Sequence, residues 1–156
     1  MDRYLLNVKS LIMKVALAAD HAGFELKKEL ITWLDIHGHQ TLDLGTYSGE
    51  SVDYPDFAHR LATAVETGQA TIGIAVCGSG NGVNMTVNKH RGIRGALCWN
   101  EETARLARFH NDANICSLPA RFISFEEAKI ITAMFLKTGF EGGRHINRVD
   151  KITDFI

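Results

Sequence analysis

The sequence predicts an α/β fold built around a parallel β-sheet. Short apolar runs, typical of buried strands, alternate with segments whose apolar residues recur at helical spacing. This alternation occurs about five times over 156 residues, of which 46% are hydrophobic and 22% charged. A chain of this length and composition can form one domain with a sizeable core.

The first third of the chain predicts a strand, a helix and a second strand. Residues 14–19 form an apolar run that ends in a polar turn, which is typical of a buried strand. Residues 24–37 are predicted to be helical because their leucines fall on one face, and Gly38 would end that helix. Residues 40–44 have a weaker strand pattern.

A polar loop and a second helix–strand pair follow. Residues 45–55 are rich in Gly and Ser and end at Pro55, which favours a helix start, with Asp53 as a possible cap. Residues 56–67 have apolar side chains at four-residue spacing and are predicted to be helical. Residues 71–76 are a continuous apolar run and predict the third strand.

The second half of the chain repeats the alternation. Strands are predicted over residues 94–99 and 114–118, and helices over residues 83–89, 101–109, 125–137 and 144–156. Asn100 and Ser124 are predicted helix caps, and Glu127 would complete a capping box with Ser124. The second half therefore adds two strands to the predicted sheet.

Alternating strands and helices predict a three-layer, Rossmann-like, five-stranded parallel sheet with helices on both faces. We expect residues 13–156 to form a single domain and residues 1–12 to be an N-terminal extension. Ligands of such sheets bind beyond the carboxyl ends of the strands. Polar turns follow the first strand, at Asp20 and His21, and the third strand, at residues 77–82, so both turns are candidates to line one crevice.

Bulk properties exclude several classes of function. The formal net charge is −1 without a basic block, so we expect no nucleic-acid partner. We identify no signal peptide and no apolar stretch long enough to span a bilayer, which predicts no membrane association. The three cysteines lack CxxC spacing and fit a reducing compartment, hence a cytoplasmic protein. The first strand is not followed by GxGxxG, which disfavours a dinucleotide site.

The turn after the third strand carries unusual chemistry. It reads Cys77-Gly78-Ser79-Gly80-Asn81-Gly82. Glycine-rich turns between a strand and a helix can be simple tight turns, or can collect backbone N–H groups around a phosphate. Neither a tight turn nor a phosphate site needs a thiol and a hydroxyl, so Cys77 is a candidate nucleophile or general base. Cys98 and Cys116 lie in apolar strand patterns and are expected to be buried and inert.

Histidines and arginines supply further candidates. His21 follows a strand and His110 is expected in the polar turn after a helix, and both are candidates for chemistry. The histidines that fit structural or surface roles are His37, His39, His59 and His90. No metal-ligand motif occurs, so we expect no metal site. Arg144 and Arg148 would share one helix face, as a solvated basic patch or as a phosphate clamp.

Several motifs occur in a fixed order along the chain. They are Asp20-His21, Asp53-Tyr54-Pro55, residues 77–82, Asn88-Lys89, Gly92-Ile93-Arg94, residues 110–114, Gly142-Gly143-Arg144-His145 and Arg148. Together they resemble the motifs of ribose-5-phosphate isomerase type B over roughly residues 14–152. Galactose-6-phosphate isomerase subunits are a sibling family with the same fold, and the motifs are similar to theirs as well.

The resemblance implies interconversion of D-ribose 5-phosphate and D-ribulose 5-phosphate in the non-oxidative pentose phosphate pathway. The reaction would pass through an enediolate and need no metal or organic cofactor. Cys77 would be the general base, and Ser79, where the family usually has Thr, would help to move protons between the two oxygens. His110 would assist opening of the furanose ring.

The resemblance also implies a set of substrate-binding residues. Backbone N–H groups of Gly78, Gly80, Asn81 and Gly82 would stabilise the enediolate oxygen. The phosphate would be held by His21, Arg144 and Arg148. The sugar would be contacted by Asp20, Tyr54 and Asn111.

Oligomers are implied as well, because the family forms homodimers or homotetramers with the site at the subunit interface. His110 and Asn111 would then come from the partner chain. Three alternatives stay open: isomerisation of a six-carbon sugar phosphate such as galactose 6-phosphate or allose 6-phosphate, a noncatalytic sensor of phospho-ligands, and a cysteine-nucleophile hydrolase.

Overall fold

A computed structural model describes residues 11–154 of the chain. The strands in this range are β1 (Lys14–Ala19), β2 (Gln40–Asp43), β3 (Ile72–Cys77), β4 (Gly95–Leu97) and β5 (Ile115–Pro119). The helices are α1 (Phe24–Ile36), α2 (Tyr54–Glu66), α3 (Asn81–Val87), α4 (Glu101–Asn111), α5 (Phe125–Lys137) and α6 (Arg144–Asp150). The predicted extension falls mainly on residues 1–10, which lie outside the described residues.

The strands form one sheet in the order β2-β1-β3-β5-β4, and each neighbouring pair is parallel. This confirms the predicted α/β fold with a five-stranded parallel sheet. The chain moves outward from β1 to β2 and then returns to place β3 on the other side of β1. The carboxyl ends of β1 and β3 are therefore the switch point at which such sheets bind ligands.

Helices cover both faces of the sheet, as predicted. In β1, Val15 and Leu17 face a cluster formed with α1, α4 and α5, whereas Ala16 and Ala18 face a second cluster formed with α2 and α3. Full burial of a leucine such as Leu17 contributes about 1.5–3 kcal/mol to folding. Because successive side chains of β1 point to opposite faces, this strand packs against the helices on both sides of the sheet.

Helix capping was largely predictable. Ser124 and Glu127 form the expected capping box, and α5 has the predicted bounds. Asn100 caps α4, with Thr103 as its reciprocal partner. The helix predicted over residues 56–67 instead begins at Tyr54, and the Asp53 side chain makes no capping hydrogen bond.

The end of α4 differs from the prediction in a way that matters for function. The helix continues to Asn111 and ends at Asp112, whose backbone is left-handed with φ 47° and ψ 44°. His110 and Asn111 therefore belong to the last helical turn, and the prediction of a turn after the helix was wrong. Aspartate tolerates this conformation, and Arg94 fixes it by donating to the Asp112 carbonyl and carboxylate.

Two smaller boundary differences concern α3 and α6. Helix α3 begins at Asn81, two residues earlier than predicted, so Asn81 and Gly82 form its first turn. Helix α6 ends at Asp150 rather than at residue 156. No helix within residues 11–154 is both long and apolar enough to span a membrane.

Candidate active site

A cavity of about 460 Å³ opens at the switch point between β1 and β3. Its volume lies in the range of small-molecule sites. The cavity is lined by Asp20, His21, Ala22, Tyr54, Cys77, Gly78, Ser79, Gly82, Arg121 and Phe122. We call this set the switch-point pocket, and it brings together the two polar turns that the sequence predicted to share one crevice.

Cys77 is the last residue of β3 and is 5% exposed. Its neighbour Ser79 is exposed, and the Ser79 Oγ accepts a hydrogen bond from the Asn81 N–H at 3.3 Å. The Asn81 N–H, which was expected to face an enediolate, is thus engaged within the turn. The thiol and the hydroxyl remain on the pocket wall as predicted.

The three glycines of this turn serve different purposes. Gly80 has φ +76°, a left-handed conformation that favours glycine. Gly82 lacks positive φ, and its missing side chain makes room for Tyr54, whose Cζ lies 2.6 Å from where a Cβ would be. Gly78 likewise makes room for Arg121, with Nη1 at 3.0 Å from the same position. Two glycines therefore seat pocket side chains instead of shaping the backbone.

Asp20 and His21 are held by the backbone around them. The buried Asp20 accepts hydrogen bonds through Oδ1 from the Ala22 N–H at 2.9 Å and the Gly23 N–H at 3.1 Å. The Val52 N–H donates to His21 Nδ1 at 3.2 Å. Because Nδ1 accepts this bond, Nε2 carries the proton and is left as a hydrogen-bond donor.

Arg121 is the pocket residue that the sequence reasoning missed. It follows β5, the strand next to β3, and its N–H donates to the Gly78 carbonyl at 3.0 Å. The preceding N–H, of Ala120, donates to the Cys77 carbonyl at 2.9 Å. An arginine two residues beyond the end of a neighbouring parallel strand was the available signal, because carboxyl ends of parallel strands meet at one edge.

Gly80 and Asn81 belong to the turn but do not line the switch-point pocket, and four predicted site residues outside the turn do not line it either: His110, Asn111, Arg144 and Arg148. Helix α4 starts after β4 and runs back along the sheet, so its last turn lies at the opposite edge from the carboxyl ends. Its 11 residues span roughly 16 Å. His110 and Asn111 are therefore separated from the two polar turns that follow β1 and β3.

These residues gather instead at a second place, which we call the α4–α6 corner. It consists of His110, Asn111, Glu141, Arg144, His145 and Arg148. The rings of His110 and His145 stack with centroids 4.4 Å apart, and the Glu141 N–H donates to the Phe109 carbonyl at 2.9 Å. Arg144 and Arg148 are exposed and form no ion pair with any residue in the range 11–154.

The corner is cross-linked by buried or half-buried charges. Asp112 accepts from Arg94 at 3.0 Å and from Arg108 at 3.3 Å. Arg108 also donates to the Thr138 carbonyl at 3.3 Å, which ties α4 to the end of α5. Desolvation lowers the pKa of the Arg108 guanidinium, and the Asp112 charge opposes that shift. These bonds fix the place at which α4 presents His110 and Asn111.

The remaining cysteines and histidines have structural positions, as predicted. Cys98 and Cys116 are fully buried, and a hydrogen bond with Cys98 together with burial raises the pKa of the Cys116 thiol well above its usual value. His90 bridges Glu66 and His59, each at 2.8 Å. The expectation of no converging metal ligands did not anticipate that His110, Glu141 and His145 would meet at the corner.

Comparisons with known proteins agree on one family. The family described as Ribose/Galactose Isomerase matches residues 15–152. Ribose-5-phosphate isomerase B of Escherichia coli is 41% identical over 140 residues, covering 90% of this chain and 94% of that protein. The protein of the same name from Mycobacterium leprae is 42% identical over 145 residues, covering 92% and 90%.

Solved structures give the same result for the fold. A ribose 5-phosphate isomerase from Thermotoga maritima superposes with a TM-score of 0.90 at 48% identity, covering 91% of this chain and 98% of that one. Ribose-5-phosphate isomerase B from Mycoplasma genitalium, solved with bound ribulose-5-phosphate, has a TM-score of 0.86 at 42% identity, covering 91% and 95%.

Proposed function

The chain belongs to the ribose/galactose isomerase family, and on that premise we propose that it interconverts D-ribose 5-phosphate and D-ribulose 5-phosphate. The observation that carries the proposal is the thiol of Cys77 on the wall of a sugar-sized cavity at the switch point. A relative of 42% identity holds ribulose-5-phosphate in its solved structure. This reaction belongs to the non-oxidative pentose phosphate pathway.

The chemistry is a proton transfer between adjacent carbons. Cys77, as thiolate, removes the C2 proton of the open-chain aldose, and the electron pair forms the C1–C2 double bond of an enediolate. Ser79 relays a proton between O1 and O2, and Cys77 then returns its proton to C1 to give the ketose. Carbon acids of this kind react when fixed donors stabilise the developing oxyanion, a role for the turn's backbone N–H groups, most simply those of Gly78, Gly80 and Gly82.

Phosphate recognition requires cationic and neutral donors at a fixed distance from the reacting carbons. Among the described residues that line the switch-point pocket, Arg121 has a permanent positive charge and His21 offers Nε2–H. Arg144 and Arg148 are exposed, form no ion pair with a carboxylate of residues 11–154 and lie one helical turn apart, a geometry suited to a phosphate. Asp20, Tyr54 and Asn111 would contact the sugar hydroxyls.

A second copy of the chain completes this site in the proposal. His110, Asn111, Arg144 and Arg148 lie at the sheet edge opposite to Cys77, so one chain cannot bring them to its own thiol. In a two-fold symmetric dimer, the corner of each chain would cover the pocket of the other. Exposed apolar side chains occur near both places, including Phe122 at 75% and Ile146 at 50% exposure, as expected for an interface.

Ring opening is then assigned to His110 of the partner chain. The imidazole would donate a proton to the ring oxygen of the furanose as the bond from this oxygen to C1 breaks, and the O1 proton would pass to solvent water, which gives the open-chain aldehyde. Isomerisation moves only protons, so the proposal includes no metal or organic cofactor in the reaction. We place the protein in the cytoplasm, where its free cysteines would stay reduced.

The test is a direct assay of ribulose 5-phosphate formation from ribose 5-phosphate in EDTA. We expect turnover by the wild type and a loss of at least about 10²-fold in Cys77→Ala, the contribution typical of a general base. If ribose 5-phosphate raises the melting temperature of the protein but is not converted, the protein is instead a sensor of phospho-ligands. Parallel values of kcat/KM for allose 6-phosphate and galactose 6-phosphate define the sugar length that the pocket prefers.

A further inference from the structure

Three potential metal ligands converge at the α4–α6 corner. His110, Glu141 and His145 each offer one ligand atom, and these atoms all lie within 4.8 Å of one another. This set was not predicted from the sequence, because Glu141 and His145 meet His110 only through the packing of α6 on α4. We propose that this cluster binds a divalent transition-metal ion, with Zn²⁺ as its best match.

The donor set selects the type of ion. Two imidazoles and one carboxylate are ligands that Zn²⁺ takes in open, four-coordinate sites, with water in the remaining position. Mg²⁺ and Ca²⁺ prefer sites built from oxygen, so two imidazole ligands disfavour them. Arg144 and Arg148 on the same helix repel cations, which further restricts the site to ions that imidazole binds strongly.

Two of the three distances between ligand atoms are close to those around a bound ion, and the third is at most 4.8 Å. Ligand atoms around tetrahedral zinc are about 3.4 Å apart, given Zn–N and Zn–O bonds near 2.1 Å. Glu141 Oε2 lies 2.9 Å from His145 Nε2 and 4.0 Å from His110 Nε2. Shifts of roughly 0.5 Å in those two distances would match the tetrahedral value. The two rings, stacked at an interplanar angle of 14°, must tilt toward the ion.

The His145 ring supplies an independent reason for a ligand here. Its Nε2 is fully buried and has no hydrogen-bond partner among the described residues, although Glu141 Oε2 is near. The 2.9 Å contact therefore lacks hydrogen-bond geometry. A buried polar nitrogen without a partner is unusual and destabilising. Coordination of an ion through this nitrogen would satisfy it.

The residues around the cluster hold its ligands in place and leave an opening through which an ion can enter. The Glu141 N–H is fixed on the Phe109 carbonyl, so the carboxylate and His110 are held on neighbouring segments. The side chains of His110 and Glu141 are 36% and 45% exposed, which leaves a path for the ion and for the completing water. His145 forms the closed inner wall of the site.

One consequence rests on the proposed function. An ion on His110 Nε2 takes the nitrogen that would exchange protons with the furanose ring. Metal binding is therefore expected to inhibit isomerisation, with the ion and the productive substrate complex excluding each other. The assignment of the metal site itself does not depend on this consequence.

The test is calorimetric titration of the untagged, metal-free protein with ZnCl₂. We expect one ion per chain in the wild type and an affinity at least about tenfold weaker in Glu141→Gln, because an amide is a poor zinc ligand. Glu141 is exposed, so this variant should fold. His59→Asn, which breaks the pair of His59 and His90, and Cys77→Ser, which removes the pocket thiol, are matched controls. Both variants should still bind zinc as the wild type does.

Two further readings separate the possible results. Co²⁺ bound in place of zinc should lack a thiolate-to-metal charge-transfer band, and zinc inhibition of turnover should weaken at least about tenfold in Glu141→Gln. Unchanged affinity in Glu141→Gln, or loss of binding in Cys77→Ser, would overturn the proposal. A chain with no isomerase activity but with the expected calorimetry would contradict the proposed function and leave the metal site standing.

Discussion

The switch-point pocket and the α4–α6 corner are built in opposite ways. In the pocket, backbone geometry positions the groups: the turn at Gly80 is left-handed, and backbone N–H groups hold Asp20 and His21. In the corner, side-chain bonds do so, with Asp112 joining Arg94 and Arg108. The pocket encloses a nearly buried thiol, whereas the corner exposes its two arginines.

This difference shows what each region needs from outside. The pocket has the proposed base and the proposed oxyanion donors, and Arg121 is the one permanent cation among the described residues that line it. The corner has two arginines and a histidine pair, and none of these four residues lines the switch-point pocket. Opposite edges of one sheet cannot meet, so each region supplies what the other lacks only if a second chain brings them together.

After the loss expected in Cys77→Ala, the next largest effect is expected from the corner arginines. In the proposed site, Arg144→Ala or Arg148→Ala removes a charge-assisted hydrogen bond to phosphate, which would contribute about 1.5–3 kcal/mol and correspond to roughly a 10–150-fold rise in KM. The value of kcat should change much less, since the phosphate is remote from the reacting carbons. Steady-state kinetics with ribose 5-phosphate measures both quantities.

Arg105→Ala is the matched control for these variants. Arg105 lies on α4 and pairs with Glu102 in an exposed ion pair, which contributes little to stability. Its loss should leave KM within about twofold of the wild type, as expected for exposed pairs. An unchanged KM and kcat in Arg144→Ala or Arg148→Ala would exclude that arginine from phosphate binding.

A smaller effect is expected inside the pocket from Gly82→Ala. The new methyl would meet the Tyr54 ring at 2.6 Å and displace it. Overpacking of this kind costs about 1–3 kcal/mol of stability where no neighbouring group can move. Here the exposed Tyr54 can swing away, so the main effect is loss of its proposed contact with the sugar, and kcat/KM should fall by roughly tenfold. Alanine favours a helical turn over glycine, so the melting temperature should not decrease.

A double-mutant cycle decides whether Gly82 acts through Tyr54. In a Tyr54→Ala background, Gly82→Ala should have almost no further effect on kcat/KM. Gly139→Ala is the control, because no atom lies within 4 Å of its added methyl and its φ is not positive. Equal losses from Gly82→Ala with and without the tyrosine ring would show that the glycine acts by another route.

The smallest effect is expected from Asp112→Asn. Asparagine tolerates the left-handed backbone at this position, so the change removes only the charge that Arg94 and Arg108 share. Both ion pairs are partly exposed and together contribute about 1 kcal/mol, which lowers the melting temperature by roughly 2–4 °C. A melting temperature equal to that of the wild type would mean that these pairs do not hold the corner.

The sequence predicted the fold well because its signals are local. Apolar runs, glycine stops and the capping box at Ser124 each depend on a few neighbouring residues, and α5 has the predicted bounds. The pocket was partly predictable for a related reason: residues that follow adjacent parallel strands meet at one edge. The resemblance to a known family, rather than spacing, suggested a role for Cys77 as a base.

What the sequence did not predict depends on tertiary packing. Arg121 lies in no motif and enters the pocket only because β5 is next to β3. Glu141 and His145 reach His110 through the approach of α6 to α4. His110 lies in the last turn of α4, which ends only at the left-handed residue Asp112, and the direction of α4 places this turn at the opposite edge of the sheet.

Complementation between two impaired chains, assayed at substrate concentrations below the wild-type KM, tests the central claim most directly. Cys77→Ala damages only the pocket, and the double variant Arg144→Ala/Arg148→Ala damages only the corner. In a two-fold dimer formed from equal amounts of both chains, half of the dimers are mixed and each mixed dimer has one intact site. Co-refolded mixtures should therefore recover about a quarter of wild-type activity. Recovery no greater than the sum of the two separate variants would show that each chain builds its site alone.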